Sequence, residues 1–380
     1  LRQKDLDNPW NRRRVLQCLA GLPLAGAAAC HLERPGAPAT TRITLAGQAL
    51  MTHPLCEDPY PGLDQVVAEL SGGAAVFTDL EAAIDTPDSG KPTRDTVFLH
   101  VAPPSVLSCL QDMGFNLLAL GNNHAWDLDT AGVLATRAAV AAAGFGFAGT
   151  GADLAEASAP GISPGVPRVA LVSMATGKIR EGAAATATRA GVNELRMRGA
   201  DLDEEDVERN LAAIARARNE AGYVIACLHN HQWGEDMATT KSWARQFARR
   251  CVDAGADVYA SHGAPLLHGI ELYRGRPLLH GLGSLVFHTR TEAGRYPPEA
   301  WESAIVHCDF EGPRLSRVSI VPVVLNETGD DPARPLQTRG RPRIAGPAGR
   351  ARILERLARL SEALGTLLRY DESDAGVELA

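Results

Sequence analysis

The 380-residue chain predicts an α/β fold with mixed sheets, and two observations carry that expectation. A helical stretch, a glycine, an apolar run of strand length and then a polar cluster recur three times. That is the pattern of strands buried on both faces between helices. Later apolar runs follow one another with no helix between them, so the sheets are expected to be mixed rather than all parallel.

In chain order, residues 43–46 and 74–77 read as the first two buried strands. Residues 105–113 have helical apolar spacing, with Gly114 as the stop. Residues 115–120 form a strand that ends at Gly121-Asn122-Asn123-His124, and 130–143 a helix that ends at Gly144. A strand over 169–173 precedes a less ordered stretch. The second half repeats the pattern: helix 203–220, strand 223–228 ending at His229-Asn230-His231, helix 242–253, and strand 257–260 ending at Ser261-His262-Gly263. Residues 278–287, 303–310 and 318–325 are further strands. Residues 326–347, dense in Pro, Gly, Asp and Arg, read as a loop, and 348–368 as a C-terminal helix.

An apolar fraction of 45% and a charged fraction of 22% are ordinary for a globular protein. A net charge of −7 provides no basic field for nucleic acid. Arg339, Arg341, Arg343, Arg350 and Arg352 cluster late in the chain and read as a solvated surface. The seven cysteines are scattered without a C-x-x-C pair, which argues against a disulfide framework or zinc ribbon. Cys109, Cys227 and Cys251 read as small buried hydrophobes.

Asn11-Arg12-Arg13-Arg14 precedes a short, weakly apolar stretch that ends in Ala27-Ala28-Ala29-Cys30. A twin-arginine export signal has these marks, and Cys30 is positioned as a lipid-anchored cysteine. The alternative is an arginine-rich leader of a cytoplasmic enzyme. No later segment reaches transmembrane length. The domain expectation is export signal and linker over 1–40, one main domain over 41–330, and a linker with C-terminal helix over 331–380.

The chemistry falls at strand ends. In open α/β sheets ligands bind beyond the carboxyl ends of the strands. Gln48, Asp79 with Glu81, Asn123 with His124, His229 with His231, and His262 all fall at or just past such an end. A polar group there escapes the cost of burial only with a partner such as a metal, a hydrogen bond or water. Imidazole, amide and carboxylate together suit a divalent cation, and no cysteine beside these positions suggests a thiolate site.

Phe77-Thr78-Asp79-Leu80-Glu81, Gly121-Asn122-Asn123-His124-Ala125-Trp126-Asp127, the His229 strand end, Asp253-Ala254-Gly255-Ala256-Asp257 with Ser261-His262, and Gly269-Ile270-Glu271-Leu272-Tyr273 through Leu282-Gly283-Ser284-Leu285-Val286-Phe287 resemble the CapA family. This is the poly-γ-glutamate capsule-biosynthesis branch of the calcineurin-like metallophosphatases, and the resemblance covers about residues 42–290. It implies a calcineurin-like four-layer α/β/β/α sandwich with a metal site at one edge of the packed sheets. Two positions depart from the family pattern. The first strand ends in Gly47-Gln48 where the family has Gly-Asp, and Ser261-His262-Gly263-Ala264 lacks the second histidine of Gly-His-x-His. Both losses fall on the same one of two metal positions. The resemblance therefore implies one divalent ion (Ca, Mn, Mg or Zn) held by Glu81, with Asp79 nearby, and by Asn123, His229 and His262.

His124 with Asp127 is a candidate proton-transfer pair in which the carboxylate fixes the tautomer. His231 with Glu235 or Asp236 is a second, and His229 is common to both kinds of chemistry. His268, His280 and His288 have no firm assignment, although His288 lies near the mouth. Gly47-Gln48-Ala49-Leu50, His229-Asn230-His231-x-Trp233 and His262-Gly263-Ala264-Pro265 resemble a sub-branch that includes a lasso-peptide epimerase. That implies acid/base inversion of a peptide α-carbon, with a peptide or γ-peptide as substrate. A modified metallophosphatase or phosphodiesterase, and a non-catalytic protein of capsule-polymer assembly, remain as alternatives.

Overall fold

The computed structural model describes residues 40–380 apart from 95–96, 235, 371–375 and 380. The arginine-rich leader, Cys30 and Glu235 lie outside the described residues. The main elements are β1 (Thr40–Ala46), α1 (Leu63–Glu69), β2 (Ala75–Asp79), α2 (Ser105–Asp112), β3 (Leu117–Ala119), α3 (Asp129–Ala142) and β4 (Gly146–Ala148). They continue as β5 (Val169–Thr176), α4 (Glu204–Glu220), β6 (Tyr223–Asn230), α5 (Ser242–Asp253), β7 (Val258–His262), β8 (Ile270–Tyr273) and β9 (Arg276–Leu279). The last are β10 (Glu302–Glu311), β11 (Arg314–Leu325), β12 (Pro342–Ile344), α6 (Pro347–Glu362), β13 (Leu368–Tyr370) and β14 (Gly376–Leu379).

The protein is mixed α/β, with a large mixed sheet ordered β13-β14-β11-β10-β1-β2-β3-β4, and β12 pairing with β11. β1 to β4 run parallel, and β10 pairs antiparallel with both β1 and β11. The second sheet runs β8-β9-β7-β6-β5 and ends at the short strand Gly161–Ile162; β5, β6, β7 and β9 are parallel, and the strands at both edges are antiparallel.

Side-chain alternation joins the two sheets. Tyr223, Ile225 and Cys227 of β6 enter one core with Ile43, Leu45, Phe77 and Leu117 of the large sheet. The intervening Val224, Ala226 and Leu228 pack instead with Val207, Ile214, Phe247 and Cys251 of α4 and α5. A strand with both faces apolar is thus read by two cores at once. α4 forms where it does because Asp203 caps it, accepting a hydrogen bond from the Asp206 N–H, and acidic residues fill its first turn. On the outer face of the large sheet, Thr44 and His307 form a chain to Glu69 at the end of α1, with steps of 3.0 and 3.2 Å.

Several boundaries differ from expectation for physical reasons. The apolar run 278–287 is two strands, β9 and Ser284–Phe287, and the latter pairs with Gln48–Leu50 rather than with the second sheet. Gly281 and Gly283 break the run; Gly283 holds φ +65°, which a side chain would strain. The segment 331–380 is not set apart, because one compact unit runs from Thr40 to Ala380. β12, β13 and β14 extend the large sheet, and α6 ends at Glu362. Arg339 and Arg341 are buried rather than solvated, with their guanidinium planes over Trp301 and Tyr60. Cys56 and Cys109 form a disulfide, against the expectation of none, and it ties the turn at Leu55–Glu57 to α2. Their 53-residue separation follows no spacing rule, so only the fold reveals the pair. No helix among the described residues is long and apolar enough to cross a membrane.

Candidate functional site

The site forms where β2, β3, β6 and β7 end. His229 and His262 are the last register partners between β6 and β7. Beyond β2 the chain is turned by two backbone bonds, Leu80 N–H to the Ala119 carbonyl and Glu81 N–H to the Ala49 carbonyl. Asn122 clips these ends together. Its amide donates to Asp79 Oδ1 at 2.9 Å and to the Leu80 carbonyl at 2.8 Å, and its oxygen accepts the His124 N–H at 3.0 Å. The tight Asn-Asn-His step therefore fixes the carboxylate behind the site and the imidazole inside it.

Glu81 stands at the centre. Its Oε1 lies 3.7 Å from His229 Nε2 and 3.8 Å from His124 Nε2. Its Oε2 is buried without a hydrogen-bond partner. Burial pushes its pKa up to about 8; Asp79 and Asp127 add to the rise, and His229 and Lys178 oppose it. His229 is fully buried, with Nδ1 3.0 Å from Asp79 Oδ2 and Nε2 2.8 Å from the Asn123 side-chain oxygen. Burial works against the charged form of His229, but the Asp79 carboxylate outweighs it and holds this imidazole above its ordinary value.

Asp127 is a hub with no exposure. Its Oδ2 accepts from His124 Nδ1 at 2.8 Å and from the His100 backbone N–H at 2.7 Å. Its Oδ1 takes Arg94 and Arg180, each at 2.8 Å. The His100 ring stacks on His124 at 3.7 Å between centroids. Burial pushes both imidazoles well below their usual range, His124 further by Arg94 and His100 further by His124, so both are neutral at pH 7. His231 is likewise pushed well down by burial and by His229. Glu81, His100, Asn123, His124 and His231 face a cleft of about 500 Å³, with Lys178, Trp233, Arg295 and Tyr296 also on its walls. Lys178 lies 5.0 Å over the Trp233 ring.

The fold brings Glu81, Asn123, His124, Asp127, His229 and His231 together, and it places others differently. Asp79 backs His229 instead of facing the cleft. His262 is turned inward, with Nε2 3.1 Å from the Ala46 carbonyl and Nδ1 3.7 Å from Cys227 Sγ. A cysteine does therefore lie beside one of these positions, and Asp79, Cys227 and His262 make a grouping of their own. Burial pushes the Cys227 thiol well up, which keeps it protonated. Gln48 is structural here, since its Oε1 accepts the Gly263 N–H at 2.7 Å. Gly263 holds φ +106°, and a Cβ there would lie 2.3 Å from the Asn230 carbonyl oxygen. Asp236 does not pair with His231; it bonds Thr239 and the Ala238 N–H, and both His231 ring nitrogens lack partners. His280 pairs with Glu271 and His268 with Thr240, while His288 stacks on His53.

Sequence reasoning missed His100, Arg94, Arg180 and Lys178. His100 interrupts the apolar run Val97-Phe98-Leu99-His100-Val101-Ala102, and that interruption was the available signal. The three cations lie in loops whose path no periodicity predicts. The residues fit a cation: Glu81 with His229 and His231, and Glu81 with His100 and His124, each present ligand atoms within 4.8 Å of one another.

Fold and site together define a mixed α/β protein with a carboxylate-centred, histidine-rich cleft between strand ends. The chain belongs to the family of the bacterial capsule synthesis protein PGA_cap, which matches residues 42–289. It is similar to the uncharacterized protein y4sH of Sinorhizobium fredii, at 25% identity over 86% of this chain and 90% of that one. It is 33% identical to the Mycobacterium tuberculosis "Probable polyglutamine synthesis accessory protein Rv0574c" over 58% of this chain and 57% of the relative. The PGA biosynthesis protein CapA of Bacillus subtilis is 27% identical over 59% and 55%. The chain thus spans little more than half the length of these two functionally named relatives. Among solved structures, the NAD nucleotidase of Haemophilus influenzae aligns over 83% of this chain and 62% of its own, with a TM-score of 0.36 and 10% identity. That is too distant to inform the fold or the chemistry.

Proposed function

We propose that the chain is a metal-dependent enzyme of a cell-envelope polymer system, acting on a peptide or γ-peptide by acid/base chemistry. Inversion of a peptide α-carbon is the reaction it fits best. The observation that carries this reading is the ring of unsatisfied polar atoms in one cleft: Glu81 Oε2, His100 Nδ1 and both nitrogens of His231. Buried polar atoms are normally paired, so a cluster of bare ones implies a ligand. Glu81, Asn123 and His229 are the residues that would hold a divalent cation, with Asp79 orienting His229 from behind. Such a cation would polarise a carbonyl beside the carbon to be deprotonated.

The chain's own residues supply the rest. Asp127 holds the Nδ1 proton of His124, which leaves Nε2 as the base at the cleft wall. His231 brings a second imidazole from the end of β6, so a proton can be removed by one ring and returned by the other. Lys178, Arg94 and Arg295 give the cleft a positive rim suited to an acidic chain. The calcineurin-like four-layer arrangement belongs to this reading, supported by two sheets that share a core with helices α4 and α5 outside one and α1 outside the other. Export is part of it too. Its supports are the Arg12-Arg13-Arg14 leader, the Cys56–Cys109 disulfide, which suits an oxidising compartment, and the capsule-related names of the relatives. Cytoplasmic peptide tailoring is the competing location.

The test pairs metal content with solvent deuterium uptake at the α-carbons of γ-glutamyl and α-linked peptides. The expected result is metal-dependent uptake that falls roughly 100- to 10,000-fold in His124→Ala. Turnover of a generic phosphodiester without deuterium uptake would favour the metallophosphatase alternative. A metal-binding protein with neither activity would favour a polymer-assembly role.

A further inference from the structure

Two residues of the cleft wall, Arg295 and Tyr296, stand on the loop that follows the strand Ser284–Phe287. Among the described residues Arg295 has no carboxylate partner, whereas Arg94 and Arg180 are both engaged by Asp127. The Tyr296 ring sits edge-on to Phe287, with centroids 5.2 Å apart. A second segment, 326–341, holds this loop from behind. The buried Arg339 donates through Nη1 to the Thr289 carbonyl at 3.3 Å and to the Thr291 carbonyl. Its guanidinium lies 5.1 Å over the Trp301 ring. Glu327 Oε1 accepts the Gly294 N–H at 2.6 Å and lies 3.8 Å from Arg339 Nη2. Phe287 N–H donates to the Gly340 carbonyl at 3.1 Å. Gly340 holds φ +70°, and a Cβ there would lie 2.1 Å from the Phe287 carbonyl oxygen. Asn326 closes the brace on itself, accepting the Arg341 N–H and donating to the Thr338 carbonyl, both at 2.9 Å.

An apolar side chain would fill the space over Trp301 without the cost of burying a charge. What the guanidinium adds is a grip on two carbonyls of one loop, which packing alone does not supply. The family match ends at residue 289, so Arg295, Tyr296 and the whole brace lie beyond it. We propose that Arg339 is a positioning residue for substrate. With Glu327 it holds residues 289–296 so that Arg295 meets a carboxylate of an acidic peptide and Tyr296 packs against its carbon chain. This rests on the peptide reading above and deepens it, by assigning substrate selection to chain that follows the strand-end centre. Loosening the brace weakens peptide binding and leaves the cation ligands at the strand ends in place.

The experiment follows hydrogen exchange of the full-length protein by mass spectrometry. Calorimetry adds its affinity for tetra-γ-glutamate, for the uncharged tetra-amide of that peptide, and for Mn²⁺. In Arg339→Met the expected result is roughly tenfold faster exchange at 289–296, with β1 and β6 unchanged, and about tenfold weaker tetra-γ-glutamate binding at wild-type Mn²⁺ affinity. Arg339→Lys should fall between, and it serves where Arg339→Met does not fold. Arg295→Gln should weaken tetra-γ-glutamate to a similar degree, remove the preference over the amide, and leave exchange as it was. Unchanged exchange at 289–296 in the folded Arg339 variants overturns the proposal. Exchange raised throughout the chain, or faster loop exchange with full peptide affinity, overturns it as well. A wild type that binds Mn²⁺ but neither peptide overturns the peptide reading and the role of this wall together.

Discussion

Two buried glutamates of nearly equal exposure, Glu81 at 3% and Glu271 at 2%, behave in opposite ways. Glu271, in β8, accepts from Arg245 Nε at 2.8 Å, from Arg249 Nε at 2.7 Å and from His280 at 3.3 Å. Burial alone would raise its pKa, but these hydrogen bonds hold it at about 2. Glu81 has no cationic hydrogen-bond donor, keeps one oxygen bare, and is pushed up to about 8. The difference separates a carboxylate that completes the fold from one that awaits a ligand. Burial does not distinguish them; satisfaction does.

The largest expected effect breaks the ligand side of this comparison. Glu81→Gln should weaken cation binding by roughly a hundredfold or more, since the shared carboxylate is lost. Calorimetric titration of the stripped protein measures it, and a change under tenfold would remove Glu81 from the centre. On the other side, Glu271→Gln should cost about 1–3 kcal/mol of stability in urea unfolding, because the partly exposed Arg245 and Arg249 lose their counter-charge. Its cation binding should stay at the wild-type level; a parallel loss of both would mean the two regions are not independent.

The smallest effect sharpens the comparison through pH. In metal-free protein the folded state holds a proton on Glu81 that the unfolded chain releases from 4.5 upward. Stability from this group is therefore present below 4.5 and is lost as pH rises toward about 8. Glu271 has the reverse sign, its contribution being present above 4.5 and lost as pH falls toward about 2. Thermal midpoints should move by a few degrees, on the order expected for a chain of this size. Glu81→Gln should flatten the limb between pH 4.5 and about 8 alone, and added cation should flatten it in the wild type.

Much of the fold was legible in the sequence, because buried parallel strands leave unbroken apolar runs with glycine stops between them. The site was legible as a set of strand ends, but which way each side chain turns was not. Asp79 and Glu81 are two residues apart, yet one lies behind His229 and the other before it, a result of the Asn122 clip. His262 sits in register with His229 and still faces the Ala46 carbonyl. Asp127 was readable as the partner of His124, three residues away on the same turn. The guanidiniums that share Asp127 were not, because Arg94 and Arg180 arrive from separate loops 86 positions apart in the sequence. The disulfide and the buried Arg339 and Arg341 were hidden for the same reason: each depends on proximity across the chain.

β1 opens the compact unit and sits mid-sheet, with β10 as its antiparallel neighbour in a register running from Thr40 opposite Glu311 to Ala46 opposite Ile305. The strand that opens this unit is therefore completed by one that lies far along the chain. During synthesis that edge stays open until more than 250 further residues have left the ribosome. Pairings of such long range are slow to form, and an open edge meanwhile is a site for wrong partners. The large sheet can close only once β10 has arrived, so its assembly waits on that long-range pairing.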